Sequence, residues 1–217
     1  MRSDANKSFD STSMDGQLTL ADLGIPLPTQ SPNYQLNLGQ ITQLQHGAKG
    51  KTAYSAMVAA NASRESVFRF AEMISNNHNI DGATDFYELS RKFGARFSFV
   101  EYFELKAQDG SIFVHSIGEM DIVLPVFTGA NRDRFTIAHE LGHYLMHTPK
   151  SQAYALRRDS TPVEWEANWF ASGLMMPTKK FKEASERNDD TAWLSAVFGV
   201  SRQAAQVRLS IFRELGV

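Results

Sequence analysis

The chain has 217 residues, of which 22 are basic and 24 acidic, and it contains no cysteine. This length suits one domain, or one domain with an appendage. The absence of cysteine excludes disulfides and thiolate metal sites, so any metal ion must be bound by histidine and carboxylate side chains. A net charge of −2 provides no general electrostatic attraction to nucleic acid or to membranes.

Nothing in the sequence indicates membrane insertion or export. No apolar run is long enough to span a bilayer, and the polar residues 1–15 lack the basic and then apolar layout of a signal peptide. We therefore expect a cytoplasmic protein that does not bind membranes.

Residues 1–60 differ in composition from the rest of the chain. They hold only eight charged residues, and residues 23–48 hold none. Three prolines interrupt this stretch, and such a composition buries too little apolar surface to offset the entropy of ordering the chain. The pattern predicts a flexible polar arm over residues 1–60. The alternative is that part of the arm packs on the domain as a strand or a short helix.

From about residue 62 the pattern favours a folded core. Apolar side chains at helical spacing predict two helices, the second of which stops at Gly94. Three short runs rich in β-branched and aromatic residues then predict strands at 96–106, 111–115 and 121–127. The dipeptide Asp109-Gly110 predicts a hairpin turn between the first two strands.

Helices resume at Arg132 and continue towards the end of the chain. Helices, a small sheet and then more helices indicate an α+β fold rather than repeated βαβ units. We predict a small antiparallel three-stranded sheet packed on the helix that carries the candidate active site, followed by a helical C-terminal part. The predicted boundaries are the arm at 1–60, a central domain at 61–177 and a C-terminal helical segment at 178–217.

The segment 132–147 contains the motif His139-Glu140-x-x-His143. Residues four apart on a helix are separated by about 40° around its axis, so both imidazoles can bind one metal ion. Glu140 lies about 100° from His139, which is too far to be the natural third ligand but near enough to hold a water molecule beside the ion. The motif predicts a catalytic metal site. The alternative is a chance match with two ordinarily hydrogen-bonded histidines.

A glycine stands inside this predicted helix at position 142. Glycine in a helix interior costs about 1 kcal/mol relative to alanine, so we expect another element to pack closely against it. The edge of the sheet is the simplest candidate.

A catalytic zinc site needs a third protein ligand. Thr161 and Pro162 mark the start of a further helix, which carries three polar candidates: Glu164, Glu166 and Asn168. Glu164 and Asn168 share one face, whereas Glu166 points about 160° away from Glu164. We predict Glu164 as the metal ligand and Asn168 as the group that orients a ligand histidine. Two alternatives stay open, in which Glu166 binds the ion or Glu164 forms a capping box with Thr161.

His147 follows His143 by four residues on the same predicted helix. A third histidine in this series lies a further 40° or so around the axis and about 6 Å along it. We therefore expect His147 to support a ligand or to lie in the core, rather than to bind the ion itself.

Two separated segments, 135–147 and 164–177, resemble the ImmA/IrrE family of metallopeptidase-like proteins. The first reads Phe-Thr-Ile-Ala-His-Glu-Leu-Gly-His-Tyr-Leu-Met-His, and the second contains Glu-x-Glu-Ala-Asn-x-Phe-Ala and ends in Leu-Met-Met-Pro. The likeness covers about residue 62 to the end of the chain. It implies a gluzincin-like core in which His139, His143 and Glu164 bind the metal and Glu140 is the catalytic acid and base. Zn²⁺ is the expected ion, with Mn²⁺ or Fe²⁺ as alternatives.

The resemblance also implies a role in gene regulation. Members of this family are bacterial or phage-encoded and commonly cut a repressor with a helix-turn-helix domain, which switches on stress or mobile-element genes. We therefore expect a metal-dependent endopeptidase with such a repressor as its protein substrate. The alternative is a metal-binding sensing or interaction module that acts on a repressor or on DNA without proteolysis. The polar arm lies outside the likeness.

The C-terminal segment 191–209 has the pattern of a helix, a tight turn at Gly199 and a second helix, a spacing compatible with a helix-turn-helix. Residues 191–217 carry three arginines and one glutamate, which is a weak positive charge for binding DNA. We expect this helical pair to pack on the core or to bind a protein partner, with direct DNA binding as the weaker alternative. A DNA contact would use the start of the second helix, at Ser201, Arg202, Gln203 and Gln206.

Overall fold

A computed structural model describes residues 55–100, 110–126, 128–148, 153–156 and 161–217 of the chain. Most of the predicted arm, residues 1–54, lies outside these ranges. The last part of it is described: residues 55 and 56 pair with a strand of the sheet, and the side chain of Met57 is buried. The end of the segment assigned to the arm thus packs on the domain as a short strand.

Within these ranges the chain forms five strands and seven helices. The strands are β1 (Ser55–Ala56), β2 (Ala95–Val100), β3 (Ser111–Ser116), β4 (Glu119–Pro125) and β5 (Ala153–Leu156). The helices are α1 (Arg64–Asn77), α2 (Phe86–Lys92), α3 (Ala130–His147), α4 (Pro162–Met175), α5 (Thr178–Arg187), α6 (Thr191–Phe198) and α7 (Arg202–Leu215). None of these seven helices combines the length and the apolar composition needed to cross a membrane.

The strands form one mixed sheet in the order β1-β5-β3-β4-β2. β3 pairs antiparallel with both β4 and β5, while β2 pairs parallel with β4 and β1 parallel with β5. The α+β class is confirmed, and the three predicted strands are present. Two details of the predicted sheet are wrong, because it is mixed rather than antiparallel and because β2 and β3 do not form a hairpin. The predicted extensions to residues 106 and 127 fall outside the described residues.

The parallel pairing of β2 with β4 has a local cause at two glycines. Gly94 precedes β2, Gly118 lies in the turn between β3 and β4, and their φ angles are 90° and 79°. A Cβ atom on Gly94 would overlap the carbonyl group of Gly118, so only glycine lets the two backbones meet there. This contact sets the start of β2 beside the start of β4. β3 and β4 form the hairpin, with its turn at residues 117–118.

Helix α4 organises the core on the face of the sheet that the helices cover. Apolar side chains of β3 and β4, such as Ile112 and Ile122, pack in the same cluster as Phe170 and Leu174 of α4. α4 also packs directly on α1 and on α3. Polar side chains on the facing surfaces of α3 and α4 are therefore brought together inside the protein.

Gly142 lies where α3 meets α4. A Cβ atom at this position would be 3.0 Å from Cδ1 and 3.2 Å from Cβ of Phe170. The close packing expected at Gly142 is present, but the neighbouring element is a helix, so the expectation of a sheet edge is wrong. Two helices can approach this closely because one of them lacks a side chain at the contact.

Gly173 in α4 makes a still closer contact with α1. A Cβ atom there would be 2.8 Å from Cδ1 of Phe68 and 3.0 Å from Cβ of Ala71, both of which are fully buried. Gly173→Ala should therefore lower the free energy of unfolding by about 1–3 kcal/mol, in spite of the higher helix propensity of alanine. Urea unfolding measures the change. Gly142→Ala is the matched control with a smaller expected loss, and an unchanged stability of Gly173→Ala would contradict the prediction.

The helical pair α6 and α7 is joined by a turn at Gly199, whose φ is 61°. The predicted helix, turn and helix are therefore present. Of the three arginines in this region, Arg208 is fully buried and Arg213 forms an ion pair with Asp189 at 2.7 Å. This distribution leaves little positive charge for a contact with nucleic acid.

Candidate metal centre

Helix α3 brings two histidines together inside the protein. His139 and His143 stand four residues apart on it, and both side chains are fully buried. Their Nε2 atoms are 2.9 Å apart, since side chains one turn apart lie on the same helix face. Both rings thus present the same nitrogen to one point between α3 and α4.

Glu164 on α4 completes the cluster. Its Oε2 atom lies 3.1 Å from Nε2 of His139, and its Oε1 atom lies 3.4 Å from Nε2 of His143. Thr161 accepts a hydrogen bond from the backbone N–H of Glu164, so one half of the capping box is present while the carboxylate itself turns to the histidines. Burial alone would raise the pKa of Glu164, but the two imidazoles outweigh it and hold the pKa well below its usual range.

These three groups fit a divalent cation. One ligand atom from each residue lies within 4.8 Å of the others, and all three residues are buried. Ligands of a tetrahedral zinc ion with bonds of about 2.0–2.1 Å are about 3.4 Å apart, close to the separations in this cluster. Within the described residues, Oε2 of Glu164 is buried and has no hydrogen-bond partner of good geometry, although His139 is near. A shared cation would satisfy that oxygen.

Glu140 follows His139 on α3 and is almost fully buried. Its carboxylate lies beside Gly110, the residue before β3. A Cβ atom on Gly110 would be 3.0 Å from Oε1 of Glu140. The missing side chain at position 110 thus leaves room for this carboxylate. The ligand cluster found in the described part of the chain does not include Glu140, which fits a group that acts beside an ion rather than binding it.

Asn168 lies one turn after Glu164 on α4 and contacts the first histidine. Its Oδ1 atom is 3.1 Å from Nδ1 of His139. An amide oxygen only accepts hydrogen bonds, so Nδ1 of His139 is the donor and Nε2 is the acceptor nitrogen of the neutral ring. This contact is the one that the helix spacing predicts for Asn168, and it turns Nε2 towards the cluster.

His147 and Glu166 meet on the other side of His143. Nδ1 of His147 is 3.0 Å from Nδ1 of His143, and its Nε2 atom is 2.9 Å from Oε2 of Glu166. Burial lowers the pKa of His147, and the neighbouring His143 adds to the effect. Glu166 lies outside the ligand cluster. The position of Glu166 on the helix predicts that its side chain points away from Glu164. It does not predict the hydrogen-bond partners of Glu166, which are His147 on α3 and the backbone of Ala60 and Ala62.

A cleft of about 660 Å³ opens between α3, α4 and α7 and reaches Asn168, the neighbour of His139. Ser201 and Gln203, which a DNA contact would use, line this cleft at the start of α7. Its apolar walls are formed by Phe135, Trp165, Trp169, Val207 and Ile211. The start of α7 therefore faces α4 across the cleft beside the cluster.

Comparison of the chain with curated sequences and solved structures gives a weak structural likeness. No curated protein sequence matches it. The solved structure of a Mycobacterium tuberculosis transcriptional regulator is similar over 70% of this chain and 48% of its own, with 18% sequence identity and a TM-score of 0.46. The chain thus spans about half the length of that protein, and a likeness at this level says nothing about function.

The sequence model of the peptidase M78 family, described as the IrrE N-terminal-like domain, matches residues 98–210. This region is just over half of the chain and includes both helices of the metal-ligand cluster. The chain therefore belongs to the peptidase M78 family, through its IrrE N-terminal-like domain.

Proposed function

We propose that this protein is a cytoplasmic, metal-dependent endopeptidase that cleaves a regulatory protein, with a helix-turn-helix repressor as its substrate. One observation carries the proposal: two imidazole nitrogens and a carboxylate oxygen converge within 4.8 Å, on the helix pair that also holds the buried Glu140. Glu140 directly follows the proposed ligand His139 on α3, and a purely structural metal site has no use for a further buried acidic group at that position. The family assignment supports the same activity.

His139, His143 and Glu164 would hold the ion. Two imidazoles and one carboxylate are a donor set of catalytic zinc sites, which keep one position open for water. Zn²⁺ is therefore the proposed ion, and Mn²⁺ and Fe²⁺ are alternatives for the same donors. When bound, the ion supplies Lewis acidity, which polarises a substrate carbonyl and makes water a stronger nucleophile.

Glu140 would transfer the proton. One oxygen of its carboxylate accepts a proton from the attacking water, and the same oxygen then donates that proton to the nitrogen of the leaving amine. The C–N bond breaks as the C–O bond to the water oxygen forms, which gives a carboxylic acid and an amine. The proton of the acid then passes to the amine, so the final products are a carboxylate and an ammonium group. Because Glu140 is 1% exposed, bulk water does not compete for its carboxylate.

The cleft beside the cluster supports a protein substrate. Aromatic and aliphatic side chains line it, and two of them, Trp165 and Val207, are 45% and 53% exposed. Exposed apolar groups that lie together are typical of surfaces that bind another chain. Cleavage of a repressor would switch on the genes that it holds silent, as the family resemblance implies.

Removal of the metal tests the proposal. Purified protein incubated with candidate helix-turn-helix repressors should cut one of them when Zn²⁺ is present. A chelator should abolish the cleavage, and added Zn²⁺ should restore it. The masses of the two fragments identify the cleaved bond. Cleavage that continues in metal-free protein would contradict the proposed chemistry, and metal-free protein that regulates a repressor by binding alone would support a sensing module instead.

Direct DNA binding is less consistent with the structure. The guanidinium of Arg208 is buried and Arg213 is paired with Asp189. Ser201, Arg202, Gln203 and Gln206 at the start of α7 are exposed, but they carry only one positive charge. A DNA-binding helix needs several positive charges at the surface.

A further inference from the structure

The carboxylate of Glu166 joins three hydrogen bonds. The backbone N–H groups of Ala60 and Ala62 donate to its Oε2 and Oε1 atoms, each at 2.9 Å. His147 reaches Oε2 from α3 with its Nε2 atom, also at 2.9 Å. Glu166 is 2% exposed, so these donors rather than bulk water satisfy its carboxylate. A single side chain thus links helix α3 to the segment 57–62, which connects β1 to α1.

The hydrogen bonds continue from His147 to His143 and have a defined direction. Both oxygens of Glu166 act as acceptors towards the backbone N–H groups of Ala60 and Ala62, so Nε2 of His147 is the donor in its contact with Oε2. In a neutral imidazole the other nitrogen is an acceptor, and Nδ1 of His143 must therefore donate across the 3.0 Å contact to Nδ1 of His147. The Nε2 atom of His143 then keeps its lone pair, 3.4 Å from Oε1 of Glu164.

The other tautomer of His143 would be unable to bind a cation in this place. It would direct a hydrogen from Nε2 into the cluster, and the Nδ1 lone pairs of His143 and His147 would face each other. Hydrogen bonds to the outer nitrogen of a ligand histidine hold the ring and its tautomer, and their loss typically lowers metal affinity about 10–100-fold.

We propose that His147 and Glu166 are positioning residues that couple the docking of segment 57–62 to metal binding at His143. The inference rests on the metal centre proposed above, but not on the cleavage of a substrate. A cation bound at Nε2 of His143 requires the tautomer of His143 that donates from Nδ1 to His147. His147 in turn donates to the carboxylate of Glu166, which accepts from the backbone of Ala60 and Ala62. Coupling of this kind is reciprocal, so a docked segment favours the metal-binding tautomer in turn.

Two substitutions at position 147 test the positioning role. In His147→Gln the amide can still accept from His143 and donate to Glu166, whereas the side chain of His147→Leu can do neither. We expect His147→Leu to weaken Zn²⁺ binding about 10–100-fold and His147→Gln to stay near the wild-type affinity. Competition with a chromophoric chelator measures both. Equal affinities of the wild type and His147→Leu would overturn the positioning role.

The tautomers provide a readout that needs no substitution. ¹⁵N NMR of the wild-type, Zn²⁺-loaded protein should show His143 protonated on Nδ1 and His147 protonated on Nε2 alone. A hydrogen on Nδ1 of His147 would overturn the direction of the hydrogen bonds, whether or not the variants fold.

Hydrogen exchange tests the coupling to segment 57–62. Zn²⁺ should slow exchange of the Ala60 and Ala62 amides in the wild type by about fivefold or more, the lower end of usual coupling between two sites. The effect should disappear in Zn²⁺-saturated His147→Leu. Unchanged exchange in wild-type protein that has bound Zn²⁺ would overturn the coupling. A wild type that does not bind Zn²⁺ would instead contradict the metal centre itself.

Discussion

Glu140→Gln should lower the rate of substrate cleavage by about 10³-fold, within the range of about 10²–10⁴ that general acid and base catalysis contributes. Glutamine occupies the same buried space beside Gly110 but cannot take up the proton of the attacking water. The proposed ligands His139, His143 and Glu164 are unchanged, so Zn²⁺ affinity should stay near that of the wild type. Cleavage kinetics and the zinc content of the purified variant measure the two effects.

Glu186→Gln is the matched control for this substitution. Glu186 lies on α5 and its side chain is 65% exposed, so the same change of charge there should leave both cleavage and zinc content unaltered. Cleavage by Glu140→Gln at a rate near the wild type would show that another group moves the proton. Loss of zinc from Glu140→Gln would show that Glu140 supports the ligands instead.

Arg208→Ala should lower the free energy of unfolding by about 3–5 kcal/mol, because it leaves buried acceptors without their donor and opens a cavity. Arg208 is fully buried on α7, and its guanidinium donates to the carbonyl of Met176 at 3.0 Å and to the hydroxyl of Thr178 at 3.1 Å. It also donates to the carbonyl of Val217. Burial lowers the pKa of Arg208 to about 10, so the side chain keeps its charge at neutral pH.

Two aromatic rings enclose the same guanidinium. Its carbon lies 4.4 Å from the ring centre of Phe68 and 5.0 Å from that of Phe181. Alanine at position 208 would therefore leave a cavity between the rings in addition to buried acceptors without their donor.

Arg213→Ala on the same helix is the control for Arg208→Ala. Arg213 is 60% exposed and pairs with Asp189 at the surface, an interaction that contributes about 0–1 kcal/mol. Urea unfolding of both variants provides the comparison. If Arg208→Ala costs no more stability than Arg213→Ala, the buried guanidinium does not join α7 to the core as the structure indicates.

The metal-ligand cluster could be predicted from the sequence because most of its geometry is local to two helices. A spacing of four residues sets His139 and His143 on one face of α3, and the same rule sets Glu164 and Asn168 on one face of α4. The start of α4 was also visible, because Thr161 caps it and Pro162 occupies its first position. The spacing within each helix does not predict that α3 and α4 pack against each other.

The partners of His147 and Glu166 could not be predicted in the same way. Two of them are the backbone N–H groups of Ala60 and Ala62, which every residue except proline possesses, so the side chains at these positions carry no signal. The contact between Ala60 and Glu166 also joins residues 106 positions apart. Helical periodicity relates neighbours within a few turns and does not extend to such a separation.

The sequence alone determined the donor chemistry of this protein: without cysteine the site must use histidine and carboxylate, and the motif His139-Glu140-x-x-His143 places two histidines on one face of a helix. Those features depend on residue type and on local spacing. The tertiary structure decided the parallel pairing of β2 with β4, the packing of Phe170 on Gly142 and the hydrogen bond between His147 and Glu166. Each of these depends on which surfaces meet, and that is settled by the packing of the whole core rather than by any one segment.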